Sequence, residues 1–196
     1  MIARLSRLGQ DRRGAAAIEF AVVAPVLLIG MMGMFDLGYN IYTDAQLEGA
    51  VQEAARTSTI EGSASQSDTI DERVENAVKL LAPHATIDIS RKAYASFSDV
   101  SQPEDYTDTN GDDMCNNGEP FEDANRNGTW DPDRGTDGQG GARDAVLYTV
   151  RITYPRPFPI ARLLGQSGTF TLDSKTVLRN QPYNLQTTET TAGNCT

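Results

Sequence analysis

The chain has 196 residues, a hydrophobic content of 39% and a formal net charge of −10. This length suits one anchored domain, and the acidic balance argues against nucleic acid as a partner, because nucleic acid requires a basic protein face. The charge is uneven, since the segment from Asp99 to Asp144 holds 13 acidic residues against three arginines and alone carries −10.

The segment from Met1 to Gly14 is basic, with four arginines against one aspartate. The segment from Ala15 to Phe35 follows and is apolar except for Glu19. At about 1.5 Å per residue, it spans roughly 30 Å, the thickness of the hydrocarbon core of a bilayer. We therefore predict one membrane-spanning helix, with the arginines on the cytoplasmic side and the rest of the chain outside.

Glu19 is unexpected in such a helix, because a charge in a spanning segment costs a few kcal/mol. A secretory signal peptide fits poorly, since Glu19 interrupts the apolar region and no small-residue cleavage site clearly follows before Asp36. A plain signal anchor fits the length of the segment but gives Glu19 no role.

The motif GAAAIEF, which begins at Gly14, resembles a type IV prepilin cleavage site. In that class a prepilin peptidase cuts after the glycine, so that Ala15 becomes the first residue and Glu19 the fifth. The resemblance implies processing between Gly14 and Ala15 and an assembly role for Glu19 and Phe20. The Glu19 carboxylate would pair with the new α-amino group of a neighbouring subunit, which is better than a lone buried charge.

The segments RRGAAAIEFAVVAPVLLIGMMGMFDLG and AQLEGAVQEAART are similar to the opening of TadE-like proteins. These are minor pilins (pseudopilins) of the tight-adherence (Flp, type IVb) pilus system. The resemblance covers residues 12–60 well and residues 145–183 loosely, through YTVRITYPRPFPI and TVLRNQPY, and it leaves out the acidic segment. It implies a bacterial inner-membrane location, with other pilins and minor pilins, a prepilin peptidase and an inner-membrane assembly platform as partners.

Two helices are predicted. The first continues from the membrane span to about residue 60, through Pro25, which membrane helices tolerate with or without a kink. A polar linker follows, and a second, amphipathic helix runs from Asp68 to Leu81 with Ile70, Val74 and Val78 on one face. That apolar face either contacts another subunit or packs on the sheet of its own domain.

Strands are predicted from alternation of apolar and polar residues. The segment DAVLYTVRITY places Val146, Tyr148, Val150, Ile152 and Tyr154 on one side, and a weaker alternation begins at residue 87. The segment PRPFPI cannot be a central strand, because its prolines lack donors. TFTLDSKTVL is expected to form a final hairpin or strand pair.

This order of elements predicts an α+β fold. It would have a long N-terminal membrane-spanning helix, a second amphipathic helix, a small antiparallel sheet and an inserted acidic calcium-loop segment. The expected organisation is a basic leader (1–14), the extended helix (15–60), a linker with the second helix and first strands (61–98), the acidic insertion (99–144), and C-terminal strands with a tail (145–196).

The acidic segment contains a twofold repeat, in which Asp108 aligns with Asp123, and we call its halves loop 1 (108–119) and loop 2 (123–134). Oxygen-bearing side chains recur at positions 1, 3, 5 and 9 of each loop, as in the calcium-loop template, which also uses a backbone carbonyl at position 7. The predicted calcium ligands are Asp108, Asn110, Asp112, Met114 (carbonyl), Asn116 and Glu119 in loop 1, and Asp123, Asn125, Asn127, Thr129 (carbonyl) and Asp131 in loop 2, with Asp133 or Asp137 closing the second site.

Each loop departs from the template at one position. Loop 1 has Asp113 at position 6, where glycine is usual, and loop 2 has Arg134 at position 12, where glutamate is usual. No helical pattern flanks either loop, so the segment resembles the isolated D-x-N-x-N-G calcium loops of extracellular bacterial repeats more than an EF-hand. The alternative is a solvated acidic loop rich in Asn-Gly turns.

Cys115 and Cys195 either form a disulfide, as an exterior location allows, or remain free thiols. The sequence has no Ser-His-Asp order, no histidine-rich metal set and no phosphate loop, so we expect no enzyme. Two functions remain. One is a minor pilin that takes part in assembly of a Flp-type pilus, and the other is a signal-anchored extracellular calcium-dependent adhesion or binding module outside any pilus. Cleavage after Gly14 separates them.

Overall fold

The computed structural model describes residues 14–58, 67–180 and 190–196. Its helices are α1 (Ala15–Ser58), α2 (Ser67–Leu81) and the single turn α3 (Ile160–Leu163). Its strands are β1 (Thr86–Tyr94), β2 (Pro120–Asp123), β3 (Thr136–Asp137), β4 (Ala145–Pro155), β5 (Thr169–Arg179) and β6 (Thr191–Asn194). The predicted α+β class is confirmed. The leader before Gly14 and the linker at 61–66 lie outside the described residues.

Helix α1 continues through Pro25 for 44 residues. Its apolar N-terminal part is exposed, and Phe20, Val26 and Met34 each expose at least 70% of their surface. A helix satisfies all its backbone groups internally, which is what a lipid environment requires. Within the described part of the chain, α1 is the one helix long and apolar enough to cross a membrane, which makes it the candidate for a single-pass anchor.

The chain divides into two compact units. The first contains α1 as far as Tyr42 together with Pro155–Phe170, and the second contains Thr43–Tyr154 together with Thr171–Thr196. The acidic segment therefore belongs to the second unit.

Within the described residues, the larger sheet has the order β3-β1-β4-β5. Strands β1 and β4 are antiparallel, with Ile89 opposite Val150. Strands β4 and β5 are joined by a side-chain pair, in which Arg151 Nε donates to Asp173 Oδ1 at 2.7 Å. A second, two-stranded sheet consists of β2 and β6, also antiparallel.

The core of the second unit lies along β4. All five side chains predicted to face one side of this strand are at most 2% exposed: Val146, Tyr148, Val150, Ile152 and Tyr154. The apolar stripe of α2 is also buried, with Ile70, Val74 and Val78 at most 3% exposed. Burial of each such side chain contributes about 1.5–3 kcal/mol. Of the two alternatives for the α2 face, packing within its own unit is therefore the one observed.

A partly buried polar contact joins α2 to the sheet. Arg91 of β1 donates to both carboxylate oxygens of Asp71 on α2, at 2.8 and 2.5 Å, and Tyr148 Oη of β4 donates to Asp71 Oδ1 at 2.8 Å. The Arg91 guanidinium also lies 4.7 Å from the centre of the Tyr148 ring. Burial and the hydrogen bond to Asp71 raise the pKa of Tyr148, so its hydroxyl stays protonated as a donor.

The hairpin or strand pair predicted for TFTLDSKTVL is wrong, because this segment lies within one continuous strand, β5. It contains no glycine, proline or asparagine that would form a turn, and its residues alternate between exposed and half-buried along most of the strand. The short strands β2, β3 and β6 were not predicted. Acidic residues, Pro120 and Gly193 all disfavour strands, so local propensity gives no signal there.

Candidate metal-binding loops and membrane anchor

Loops 1 and 2 lie on either side of the short strand β2. Position 6 has the same left-handed backbone in both loops, with φ of 59° at Asp113 and 80° at Gly128. Aspartate is among the few non-glycine residues that adopt this conformation readily. The departure of loop 1 from the glycine of the template therefore leaves the turn intact.

The first position of each loop anchors the turn. Asp108 accepts from the N–H groups of Gly111 and Asp113, at 2.6 and 2.9 Å. Asp123 accepts from the N–H groups of Asn127 and Gly128, at 3.1 and 2.8 Å. The N–H groups of Asp113 and Gly111 lower the pKa of Asp108, so this carboxylate remains ionised at neutral pH.

Positions 3, 5 and 9 converge in loop 1. Asp112 Oδ2 accepts from the side-chain amides of Asn110 and Asn116, at 3.0 and 2.8 Å, and Asn110 Nδ2 also lies 3.1 Å from Asn116 Oδ1. The hydrogen bond from Asn116 is the main cause that lowers the pKa of Asp112; burial opposes it, and the N–H of Met114 lowers the pKa further. An asparagine amide presents oxygen or nitrogen according to a half-turn of one torsion, so these groups can offer oxygens to a common point.

The same positions converge in loop 2. Asp131 Oδ2 accepts from the side-chain amides of Asn125 and Asn127, at 2.8 and 2.5 Å. Position 5 is also held from its other side, because Asn127 Oδ1 accepts from the N–H of Thr129 at 2.7 Å. The two loops therefore place equivalent polar side chains together in the register that the repeat predicted.

Glu119, the predicted twelfth-position ligand of loop 1, is 2% exposed and faces backbone N–H groups. Its Oε1 accepts from the N–H and hydroxyl of Thr109, at 2.6 and 3.0 Å, and from Asn110 N at 3.3 Å, while Oε2 accepts from Asn116 N at 3.3 Å. A carboxylate has about four lone-pair sites. The Glu119 carboxylate therefore closes loop 1 by binding the backbone N–H groups of the loop, and it has few lone pairs left for a cation.

Glu104 closes loop 2 in the same way and was missed by the sequence reasoning. It is also 2% exposed, and it accepts from the N–H groups of Ala124, Asn125 and Asp131 at 2.8, 3.4 and 3.1 Å. These donors are the counterparts, in the second repeat, of those that bind Glu119. Extending the repeat towards the N-terminus would have found Glu104. It lies four residues before Asp108, the first residue of loop 1, just as Glu119 lies four residues before Asp123, the first residue of loop 2.

The two repeats form a reciprocal pair. The N–H of Thr107 donates to the carbonyl of Pro120 at 2.9 Å, and the equivalent N–H of Glu122 donates to the carbonyl of Asp105 at 2.8 Å. The residues between them form an antiparallel bridge. The segment thus has an internal pseudo-twofold relation, in which the glutamate that precedes each loop closes the other loop.

The two residues proposed to close loop 2 from its C-terminal side, Asp133 and Asp137, line the same cavity as Asn125, Asn127 and Asp131. Asp133 Oδ2 forms an ion pair with Lys92 Nζ of β1 at 2.8 Å. Burial opposes ionisation of Asp133, but the hydrogen bond from Lys92 and its other partners outweigh it and lower the pKa of Asp133. Asp137 is exposed on β3, opposite Lys92. Trp130 packs edge-on against Tyr106 with ring centres 5.7 Å apart.

Loop 1 is tied to the C-terminal tail. The structure links Cys115 and Cys195 in a disulfide, with Cα atoms 5.2 Å apart. The backbone of Cys195 also accepts from Gly118 N at 2.9 Å and donates to Glu119 O at 2.8 Å. Strand β6 and the disulfide together fix the end of the chain against loop 1.

No group of three or more Asp, Glu, His or Cys side chains forms a metal cluster in residues 14–58, 67–180 and 190–196. At positions 1, 3, 5 and 9, each loop instead combines two aspartates with two asparagines. Ligand sets of this kind contain oxygen alone and suit a hard cation such as Ca²⁺, which accepts carbonyl and water ligands beside carboxylates.

The predicted processing and assembly residues lie at the start of the anchor. Helix α1 begins at Ala15, directly after Gly14, and both Glu19 and Phe20 are exposed on its first turns. A second acidic residue, Asp36, comes directly after the apolar run and was not singled out from the sequence. It is 5% exposed and forms an ion pair with Arg156.

The family of TadE-like proteins matches residues 14–56. The match begins at the predicted cleavage glycine and covers nearly all of α1, so the resemblance predicted for this segment is confirmed. The matched segment lies almost wholly within α1, the one helix of the described residues that is long and apolar enough to cross a membrane. No curated protein and no solved structure matches the chain.

Proposed function

Taking the TadE-like match as the premise, we propose that this chain is a minor pilin that takes part in assembling a tight-adherence pilus from the bacterial inner membrane. The observation that carries the proposal is the match over residues 14–56, which includes the cleavage motif, Glu19 and the whole apolar run. The N-terminus is cytoplasmic and the second unit is outside, because the arginines precede the span.

In this proposal a prepilin peptidase cuts between Gly14 and Ala15. Intact-mass measurement of the membrane-extracted protein, from a strain with an active prepilin peptidase, should give a chain that begins at Ala15. Gly14→Val should leave the precursor uncut. A wild-type chain that still begins at Met1 would contradict the proposal and favour the signal-anchored adhesion module.

Glu19 pairs with the α-amino group of a neighbouring subunit and sets the register of the incoming helix. An exposed carboxylate inside an apolar, spanning helix needs such a partner, because an unpaired charge in lipid costs a few kcal/mol. Glu19→Ala should be cleaved and folded but should give fewer pili and less co-purification with other pilins. Glu48→Ala, which alters an exposed glutamate beyond the apolar part of the same helix, is the matched control. Equal pilus counts for Glu19→Ala and Glu48→Ala would refute this role.

The extracytoplasmic unit binds calcium at loops 1 and 2. The ligands are the oxygens at positions 1, 3, 5, 7 and 9 of each loop, with water completing the six to eight that Ca²⁺ takes. Two features support this assignment, namely the convergence of positions 3, 5 and 9 in both loops and the lowered pKa values of Asp108 and Asp112. Glu104 and Glu119 are positioning residues, which hold the loop backbone rather than the ion.

Thermal unfolding of the full chain in detergent, with Ca²⁺, with Mg²⁺ and with chelator, tests calcium binding. Extracellular calcium modules have Kd of about 10⁻⁴–10⁻³ M, so near-millimolar Ca²⁺ should stabilise the unit by about 0.4–1.4 kcal/mol per site. Asp108→Ala combined with Asp123→Ala should abolish the shift, whereas Asp88→Ala, an exposed aspartate on β1, should keep it. Identical melts in all three conditions would leave a solvated acidic loop and would not affect the pilin assignment.

A further inference from the structure

Residues 155–170, which connect β4 to β5 and include the adjoining ends of both strands, carry an apolar surface next to the anchor. We call this segment the foot. Its short helix α3 buries Ile160 and Ala161, whereas Leu163 at its end and Leu164 directly after it are exposed, at 67% and 66%. The foot contains two arginines and no acidic residue, in a chain whose net charge is −10. Its charge is therefore opposite to that of the chain as a whole.

The foot is fastened to α1 at the point where the apolar run ends. Arg156 forms an ion pair with Asp36, and the Phe158 ring stacks on Phe35 with centroids 6.0 Å apart. Both α1 residues and the foot lie in the same compact unit. Because the apolar run ends at Phe35, the outer surface of the bilayer must lie close to this level.

The Asp36–Arg156 ion pair also indicates where the bilayer surface crosses α1. Asn40 also donates to Asp36 Oδ2 at 3.3 Å, and the Arg156 guanidinium lies 4.5 Å from the centre of the Phe170 ring. Such a charged cluster belongs at the headgroup interface, because ionised side chains are costly within the hydrocarbon. Arg156 thus holds the whole foot at the depth of the lipid headgroups.

We propose that the foot docks on the lipid surface. Leu163 and Leu164 insert into the boundary between headgroups and acyl chains, to a depth of about 5–10 Å, as apolar side chains of interfacial helices do. Arg162, which is exposed on α3, meets the lipid phosphates. A protein partner would also accept exposed leucines, but the lipid surface is fixed beside this segment by the anchor and matches its positive charge. The inference rests on the single-pass anchor and does not require the pilus role.

Quenching by lipids with brominated acyl chains tests this contact in the full chain, reconstituted in nanodiscs. The probe is Leu164→Trp, placed in a Trp130→Phe background because Trp130 is the single tryptophan of the chain. Leu80→Trp in the same background is the control, since Leu80 is 83% exposed on α2 in the second unit. Leu163→Trp provides a second probe if Leu164→Trp does not fold.

The emission of Leu164→Trp should shift to shorter wavelength on reconstitution and lose intensity with brominated lipids, whereas that of Leu80→Trp should do neither. Arg162→Gln should reduce this quenching in nanodiscs rich in anionic lipid. Quenching of the foot probes no greater than that of Leu80→Trp would overturn the proposal. A blue shift without quenching would also overturn it, since the leucines would then be covered by protein.

Discussion

Replacing Glu104 with alanine removes one acceptor for three backbone N–H groups of loop 2. The two shorter hydrogen bonds, from Ala124 N at 2.8 Å and Asp131 N at 3.1 Å, contribute most to the stability of the closed loop. A hydrogen bond to an ionised group contributes about 1.5–3 kcal/mol. Because Ala124 and Asp131 are only half-buried and water can reach the freed N–H groups, we take the low end and expect about 3 kcal/mol in total.

A loss of about 3 kcal/mol corresponds to roughly a 100-fold increase in the local opening equilibrium. Amide hydrogen exchange of the full chain, followed residue by residue by NMR, should show this increase at Ala124 and Asp131. Loop 1 amides, which Glu119 holds, should keep their protection better. Glu122→Ala is the matched control, because Glu122 is an exposed glutamate on β2. Exchange in Glu104→Ala at the rate of the unmodified chain would refute the inference that this carboxylate closes loop 2.

Three further predictions concern stability, each measured by thermal unfolding in detergent. Replacing both Cys115 and Cys195 with serine should cost about 4.5 kcal/mol in the chain-entropy model, because the disulfide spans 80 residues; a melt equal to that of the unmodified chain would contradict the linkage. Arg156→Ala should cost about 3–5 kcal/mol, since Asp36 is left buried and unpaired, and adding Asp36→Ala should recover part of the loss. The lowered pKa of Asp133 contributes stability that is fully present above the ordinary aspartate pKa of about 3.9 and is lost as the pH falls through the lower value of the folded state. Asp133→Asn should therefore be less stable at neutral pH and should lose less on acidification, and parallel acid limbs for the two proteins would count against the ion pair.

The sequence predicted the elements whose signal is local. Alternation with a period of two placed Val146 through Tyr154 on one face of β4, and the structure buries that face. A helical period did the same for Ile70, Val74 and Val78. Strand β6 gave no such signal, because its pairing depends on a partner far away in the chain. Phe121 lies against Gly193, where a side chain of any size would meet the phenylalanine ring.

In the candidate site, too, the sequence predicted what depends on local spacing and missed what depends on distant pairing. A template with fixed spacing was enough to find the oxygens of positions 1, 3, 5 and 9, but it also assigned Glu119 to the cation, whereas the structure directs Glu119 at backbone N–H groups. Extending the repeat would have found Glu104 as its counterpart. That Glu104, which precedes loop 1, closes loop 2 follows only from the antiparallel pairing of the repeats, which one-dimensional spacing does not contain. The Asp36–Arg156 pair, 120 residues apart, was out of reach for the same reason.

The reciprocal closure of the two loops constrains how this segment can change in length. Deleting one repeat removes the glutamate that closes the remaining loop, and it leaves the remaining glutamate buried with no loop to bind. The remaining repeat should therefore lose its ordered structure as well. Adding one repeat creates the same mismatch at the new end. Insertions and deletions of this motif should therefore survive in relatives only two repeats at a time, and a variant with one or three repeats should lose order throughout the acidic segment.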